Sequence, residues 1–242
     1  MVEEVRLLAD RAEERANLLK AIRTSGDGEG PISVLEAGCG RYWPFHDAGV
    51  PMVVTGVDLD ADALRLRRED IGDLDQEILG DLRTVELPPA SFDVAYCSFL
   101  LEHVEGAETA LDNIAGALRP GGRLVLRVPD GDSVFGWLAK RTPHRTHVWY
   151  RRYVQRKPDA GKPGHAPYPT VYDEVVSVAG MRDWAERRDF KVLDVWATNY
   201  YLDVFGPARP LAQAAVSAIA ACSRRRVSGT HNNLGFVLEK AS

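Results

Sequence analysis

The stretch Val34-Leu35-Glu36-Ala37-Gly38-Cys39-Gly40 constrains this chain more than any other. Ile32, Val34, Leu35 and Ala37 suit a strand buried on both faces. They run straight into two glycines and then toward Trp43 and Pro44, where the pattern predicts a helix start. Glycine at 38 and 40 lets the backbone take positive φ and lie against a ligand without a side chain in the way. Strand, tight loop and helix in that order form a cradle.

The residues that follow say what the cradle holds. A dinucleotide fingerprint, Gly-x-Gly-x-x-Gly, would need a third glycine at position 43, which is Trp43, so a nicotinamide-dependent oxidoreductase is disfavoured. A second strand over 52–58 ends on Asp58, 20 residues after Gly38. At that distance an acid at a strand end reaches the ribose hydroxyls of an adenosine in a βαβ unit. A carboxylate can accept both hydroxyl hydrogens at once. Asp60 is placed to cap a helix over 61–69. Further strands are expected over 77–82, 91–98 and 123–128, with a helix over 109–118 stopped by Pro120-Gly121-Gly122. A helix over 175–188 and strands over 190–196 and 234–240 complete the pattern. This alternation predicts an α/β fold with a doubly wound, mostly parallel sheet, its ligand lying over the carboxyl ends of the strands.

Taken together, Glu36-x-Gly38-x-Gly40, Asp58, Gly80-Asp81-Leu82 with Leu87-Pro88, and Leu118-Arg119-Pro120-Gly121-Gly122 resemble the motifs of the class I, Rossmann-like S-adenosylmethionine-dependent methyltransferases over about residues 30 to 130. The sequence departs from the family at Tyr42, where many members have a third glycine. The resemblance implies a seven-stranded sheet whose last strand inserts antiparallel between the fifth and sixth. The implied cofactor is S-adenosyl-L-methionine, leaving as S-adenosyl-L-homocysteine. Its implied contacts are Glu36, Gly38, Cys39, Gly40, Asp58, Leu59, Asp81, Leu82 and Ser98, with Asp81 and the backbone near Leu82 at the adenine. The segment Phe99-Leu100-Leu101-Glu102-His103-Val104 resembles the floor of the active site and lacks the Asp/Asn-Pro-Pro-aromatic run of enzymes that methylate DNA bases. The implied reaction is methyl transfer to an oxygen or nitrogen of a small molecule, with His103 as first candidate for a base and His147 and His144 after it. A noncatalytic scaffold on the same fold, RNA-associated or serving as a partner subunit, is the competing reading.

Two segments lie outside the alternation. Residues 140–162 carry eight Lys or Arg against one acid, Asp159, interleaved with His144, His147, Trp149, Tyr150 and Tyr153. They read as a lid favouring an anionic acceptor, as an RNA-stacking surface, or as a solvated basic helix. The connection 199–232, with an Ala-rich helix over 210–223 ahead of Arg224-Arg225-Arg226, can shape the acceptor pocket, form a homodimer contact or rest on a membrane surface. The expected plan is a single domain: an N-terminal helix and linker over 1–30, a cofactor core over 31–129, the lid over 130–172, and a C-terminal part over 173–242.

Composition excludes several classes. A net charge of −5 argues against a whole-molecule polyanion binder. Cys39, Cys97 and Cys222 have no metal-type spacing, so no metal is expected, and they read as reduced thiols of a cytoplasmic protein. No apolar run reaches the ~20 residues of a membrane span, and the N-terminus does not read as a signal peptide.

Overall fold

The computed structural model describes residues 5–25, 30–162, 167–224 and 226–242. Its sheet is built from β1 (Arg6–Leu7), β2 (Ile32–Ala37), β3 (Met52–Asp58), β4 (Gln76–Leu79), β5 (Phe92–Ser98), β6 (Leu118–Pro129), β7 (Phe190–Thr198) and β8 (Asn233–Lys240). The spatial order is β1-β7-β8-β6-β5-β2-β3-β4. Only β8 runs antiparallel to its neighbours, inserted between β6 and β7. The expected strand order therefore holds, with one strand more than expected.

The extra strand corrects the reading of the N-terminus. Residues 1–4 of the expected N-terminal helix lie outside the described residues, and the helix itself, α1, spans Arg11–Arg23, capped by Asp10, whose side chain accepts from the Glu13 amide. Ahead of it Arg6–Leu7 pairs parallel to Trp196 and Ala197 of β7. Residues 26–29 of the expected linker lie outside the described residues.

Alternation along the strands divides the core into two layers. Val34, Val54, Val94 and Val125 face α1 with Leu18 and Ile22. Leu35, Ala95, Leu124 and Leu126 face the other way, onto α3 (Ala107–Ala117) and α6 (Val178–Arg187), where Leu111, Ile114 and Trp184 complete the packing. Trp184 stays buried because its indole N–H donates to Asp112 at 2.9 Å.

The helix expected after the glycine loop is absent. Residues 41–51 run as turns. Trp43 and Phe45 are buried instead in an edge-to-face cluster with Tyr96, ring centroids 5.0 to 5.7 Å apart. Pro44, Gly49 and Pro51 crowd this short crossover, and the aromatic side chains cover the sheet that a helix would have covered. No helix dipole therefore points at the loop, which suits a ligand without phosphate.

The next crossover holds a second departure. α2 (Ala61–Arg65) passes into a π-helical turn, Leu66–Ile71, closed by Gly72 in the left-handed region. The last two connections are long. β6 leads through α4 (Val134–Arg141), α5 (His144–Trp149) and a second π turn (Tyr150–Val154) before α6. β7 leads through a 3-10 segment (Tyr201–Ala208) and α7 (Arg209–Cys222) to β8. No helix among the described residues is long and apolar enough to cross a membrane.

Candidate active site

The glycine loop is held from two sides. Gly38 and Gly40 have φ of +69° and +53°, so both positions need glycine. A Cβ at Gly38 would stand 2.8 Å from Leu100, whereas one at Gly40 would meet nothing within 4 Å, so the loop is packed at its first glycine and open at its second. The amides of Gly38 and Cys39 donate to the Val57 carbonyl at 2.9 and 3.1 Å. Cys39 is buried against β3, where Gly56 makes room for its sulfur, and burial pushes its thiol far above the ordinary range. It is a small packing residue of the loop and not a nucleophile.

Asp58 ties the loop to the next strand end. Its Oδ2 accepts from the Gly40 amide at 2.8 Å and its Oδ1 from the Asp60 amide at 2.9 Å. Each oxygen keeps a second lone pair for a ligand hydroxyl. Beside it Leu59 is 72% exposed, an apolar face at the mouth of the cradle with nothing of the protein over it. Asp60 caps α2 as expected, accepting from Asp62 and Ala63.

Under the loop lies a residue that the sequence did not single out. Arg67, 0% exposed, donates Nε to Asp73 at 2.5 Å, one terminal nitrogen to the Cys39 carbonyl at 2.9 Å and the other to Glu36 Oε2 at 2.8 Å. Glu36, expected to face a cationic ligand directly, is committed to this guanidinium. Burial drives the Glu36 carboxyl up to about 8 against the pull of Arg67. One buried cation between two acids is neutral overall when Glu36 keeps its proton.

Asp81 and Leu82, the expected adenine contacts, lie just past β4 in a turn that Asn113 ties down by donating to the Leu82 and Val85 carbonyls at 2.9 and 2.8 Å. Asp81 is forked onto Arg83, which holds its carboxyl down at about 2. The Leu82 side chain is buried in the core, which leaves only its backbone for a ligand.

The other end of the rim is closed by α1 and the lid. Arg127 of β6 donates to both oxygens of Glu14 in α1 at 3.0 and 2.9 Å, reaches Ser98 Oγ at 3.3 Å and lies over the Phe99 ring. Phe99 itself has φ of +55°, a strained turn at the end of β5. His103 follows on a 3-10 turn, its Nδ1 2.7 Å from the Pro169 carbonyl and its ring edge-on to Tyr168. Burial, with the charges of Asp60 and Asp58, raises the Tyr168 hydroxyl. The backbone of residues 168–172 is anchored by the Val171 amide on the Glu102 carbonyl at 2.8 Å.

All three histidines come into one neighbourhood. Rings of His144 and His147 are 6.2 Å apart, and His147 Nε2 meets Thr142 Oγ1 at 2.6 Å. Burial, with the charge of His144, lowers the pKa of both His103 and His147. His147 is engaged by Thr142, while His144 Nδ1 is buried without a partner.

Glu102, which the sequence left as part of a family-like run, is 3% exposed with Oε2 unpartnered, and burial pushes its carboxyl up to about 8. Its only sequence signal is the adjacency to His103. The sign of its effect on stability follows from linkage. The folded state holds the proton that the unfolded chain releases near 4.5, so its contribution is full below pH 4.5 and lost as pH rises through 8. Glu36 acts in the same sense. A Glu102→Gln variant should therefore show a flatter melting temperature between pH 5 and 8 than the native chain, read by thermal denaturation. An unchanged slope would mean that Glu102 is ionised in the fold.

Residues 35–126 match a family model described as Methyltransferase domain. An uncharacterized methyltransferase of Mycobacterium tuberculosis is 34% identical over 107 residues, 40% of this chain and 50% of that protein. A ubiquinone biosynthesis O-methyltransferase of Idiomarina loihiensis is 30% identical over 140 residues, 50% of this chain and 57% of that one. The chain spans about half the length of the curated relatives it matches. The crystal structure of an S-adenosylmethionine-dependent methyltransferase from Mesorhizobium loti superposes with a TM-score of 0.54 at 20% identity, covering 91% of this chain and 96% of that one, a likeness of fold. With the glycine cradle, the acid at the end of β3 and the antiparallel β8 all in register, residues 35–126 match a methyltransferase domain, and the fold is that of the class I, Rossmann-like S-adenosylmethionine-dependent methyltransferases.

Proposed function

We propose that this chain methylates a hydroxyl group of a small molecule, with Asp58 and the loop at 38–40 holding the cofactor and His103 taking the proton. The observation that carries the reading is His103: a carbonyl oxygen only accepts, so the 2.7 Å contact with Pro169 puts the ring proton on Nδ1 and leaves the Nε2 lone pair free. A lowered pKa keeps that lone pair available at neutral pH.

The cradle fits S-adenosylmethionine on three counts: open space at Gly40, the bare apolar face of Leu59, and a carboxylate with spare lone pairs at Asp58. When bound, the cofactor supplies an electrophilic methyl group. The protein's own part is alignment and exclusion of water. Arg127 fastens Glu14 of α1 beside Ser98 and Phe99, and the Val171 amide ties the 168–172 segment to Glu102 next to His103. His103 Nε2, 3.6 Å from the buried Glu102 carboxyl, would accept the acceptor's hydroxyl proton as its oxygen attacks. Arg151, whose Nε is buried without a partner, supports an acceptor that also carries a carboxylate or phosphate.

The test begins with the cofactor. Calorimetric titration with S-adenosylhomocysteine should show one site, and Asp58→Asn should weaken it by about 10- to 100-fold. An asparagine presents an NH2 group to at least one amide N–H that Asp58 now accepts, and it loses hydrogen bonds worth roughly 1.5–3 kcal/mol to a charged group. Absence of binding to the native chain would overturn the reading. With binding established, transfer of radiolabelled methyl to fractionated metabolites identifies the acceptor.

A further inference from the structure

α5 and the π turn after it form an amphipathic lid. Its inner side brings His144, His147 and Arg151 toward the site described above. Its outer side is a stripe: Arg145, Trp149 and Tyr153 stand four residues apart and are exposed. The widened π turn keeps them in line. Trp149 is 58% and Tyr153 65% exposed, their ring centroids 6.1 Å apart, so the two rings touch each other and water. Val154, Arg156 and Lys157 continue the exposed strip.

Charge is segregated in the same place. With eight Lys or Arg against Asp159, residues 140–162 carry +7 in a chain of net −5, which leaves −12 for the rest. We propose that this outer face of the lid docks peripherally on an anionic phospholipid bilayer. Tryptophan and tyrosine are amphipathic rings that settle at headgroup level, and basic side chains around them reach lipid phosphates while their stems stay in the apolar layer. A second copy fits the surface poorly, because an isologous contact would bring two basic faces together. Single-stranded RNA fits it poorly as well: the rings sit 42° apart in tilt on a convex helix instead of forming a stacking platform in a groove.

The experiment is co-sedimentation of the full chain with vesicles of phosphatidylcholine alone and of phosphatidylcholine with one quarter phosphatidylglycerol, at low and high salt. Each basic residue near an anionic surface is worth roughly fivefold in partitioning, so retention should be at least about tenfold greater on the anionic vesicles and fall at high salt. Trp149→Ser with Tyr153→Ser should abolish it, and Arg156→Gln with Lys157→Gln should reduce it about 25-fold, both with unchanged circular dichroism because these side chains are exposed. Equal retention on the two vesicle types, retention on neither, or full retention by the double serine variant would overturn the proposal. So would tighter binding to a labelled single-stranded RNA oligonucleotide, or a change in sedimentation coefficient of the serine variant in the absence of vesicles, which would assign the surface to RNA or to self-association.

Discussion

His103→Ala should bind S-adenosylhomocysteine as tightly as the native chain and lose methyl transfer by about 10²- to 10⁴-fold, the usual contribution of a positioned base. The two readouts separate because the histidine stands on the 3-10 turn after β5 with its ring on the Pro169 carbonyl, while Asp58 holds the Gly40 amide. The pH profile carries a second signature. Burial and the charge of His144 lower the His103 pKa, so the neutral form persists below the ordinary 6.5 and the acid limb of turnover should lie below that value. Replacing His144 by Gln should move the limb upward, toward 6.5. Full turnover by His103→Ala with saturating acceptor would remove the base and leave transfer by alignment alone.

How far the sequence carries can be judged at particular residues. The sheet was legible because parallel strands buried on both faces are continuous apolar runs, and the glycine loop and Asp58 mark their carboxyl ends. The crossover after the loop was not, because the covering of the sheet by Trp43 and Phe45 depends on Tyr96, some fifty residues away. The two-residue β1 escaped for the same reason: it pairs with β7, and Leu7 is itself exposed. The spacing put Asp58 at a strand end, where it lies, but did not announce its service to the Gly40 amide, since a backbone amide carries no sequence signal. The three histidines were chosen separately, and the contact that fixes His103 is the Pro169 backbone carbonyl, which no periodicity announces.

Arg67 is the sharpest of these cases, and its loss has the largest expected effect on stability. In a short helix rich in charge it reads as a solvated residue, yet the π turn rotates it inward, where it answers Glu36, Asp73 and the Cys39 carbonyl together. Arg67→Met keeps the volume and removes all three donors. The buried Glu36, the half-buried Asp73 and a buried carbonyl then lose their partner, and breaking a buried ion pair in this one-sided way costs about 3–5 kcal/mol. That is a large share of the ~5–15 kcal/mol that holds a domain together. Urea denaturation should show a lower midpoint with an unchanged slope. Because Arg67 also fixes the carbonyl between Gly38 and Gly40, the affinity for S-adenosylhomocysteine should fall in the variant even at temperatures where it is folded. Adding Glu36→Gln to Arg67→Met should restore part of the stability by removing one orphaned acid, but none of the loop's support from the guanidinium. If the single variant melts with the native chain and binds as tightly, the cluster is an incidental ion pair, and the loop is held by the Val57 and Asp58 contacts alone.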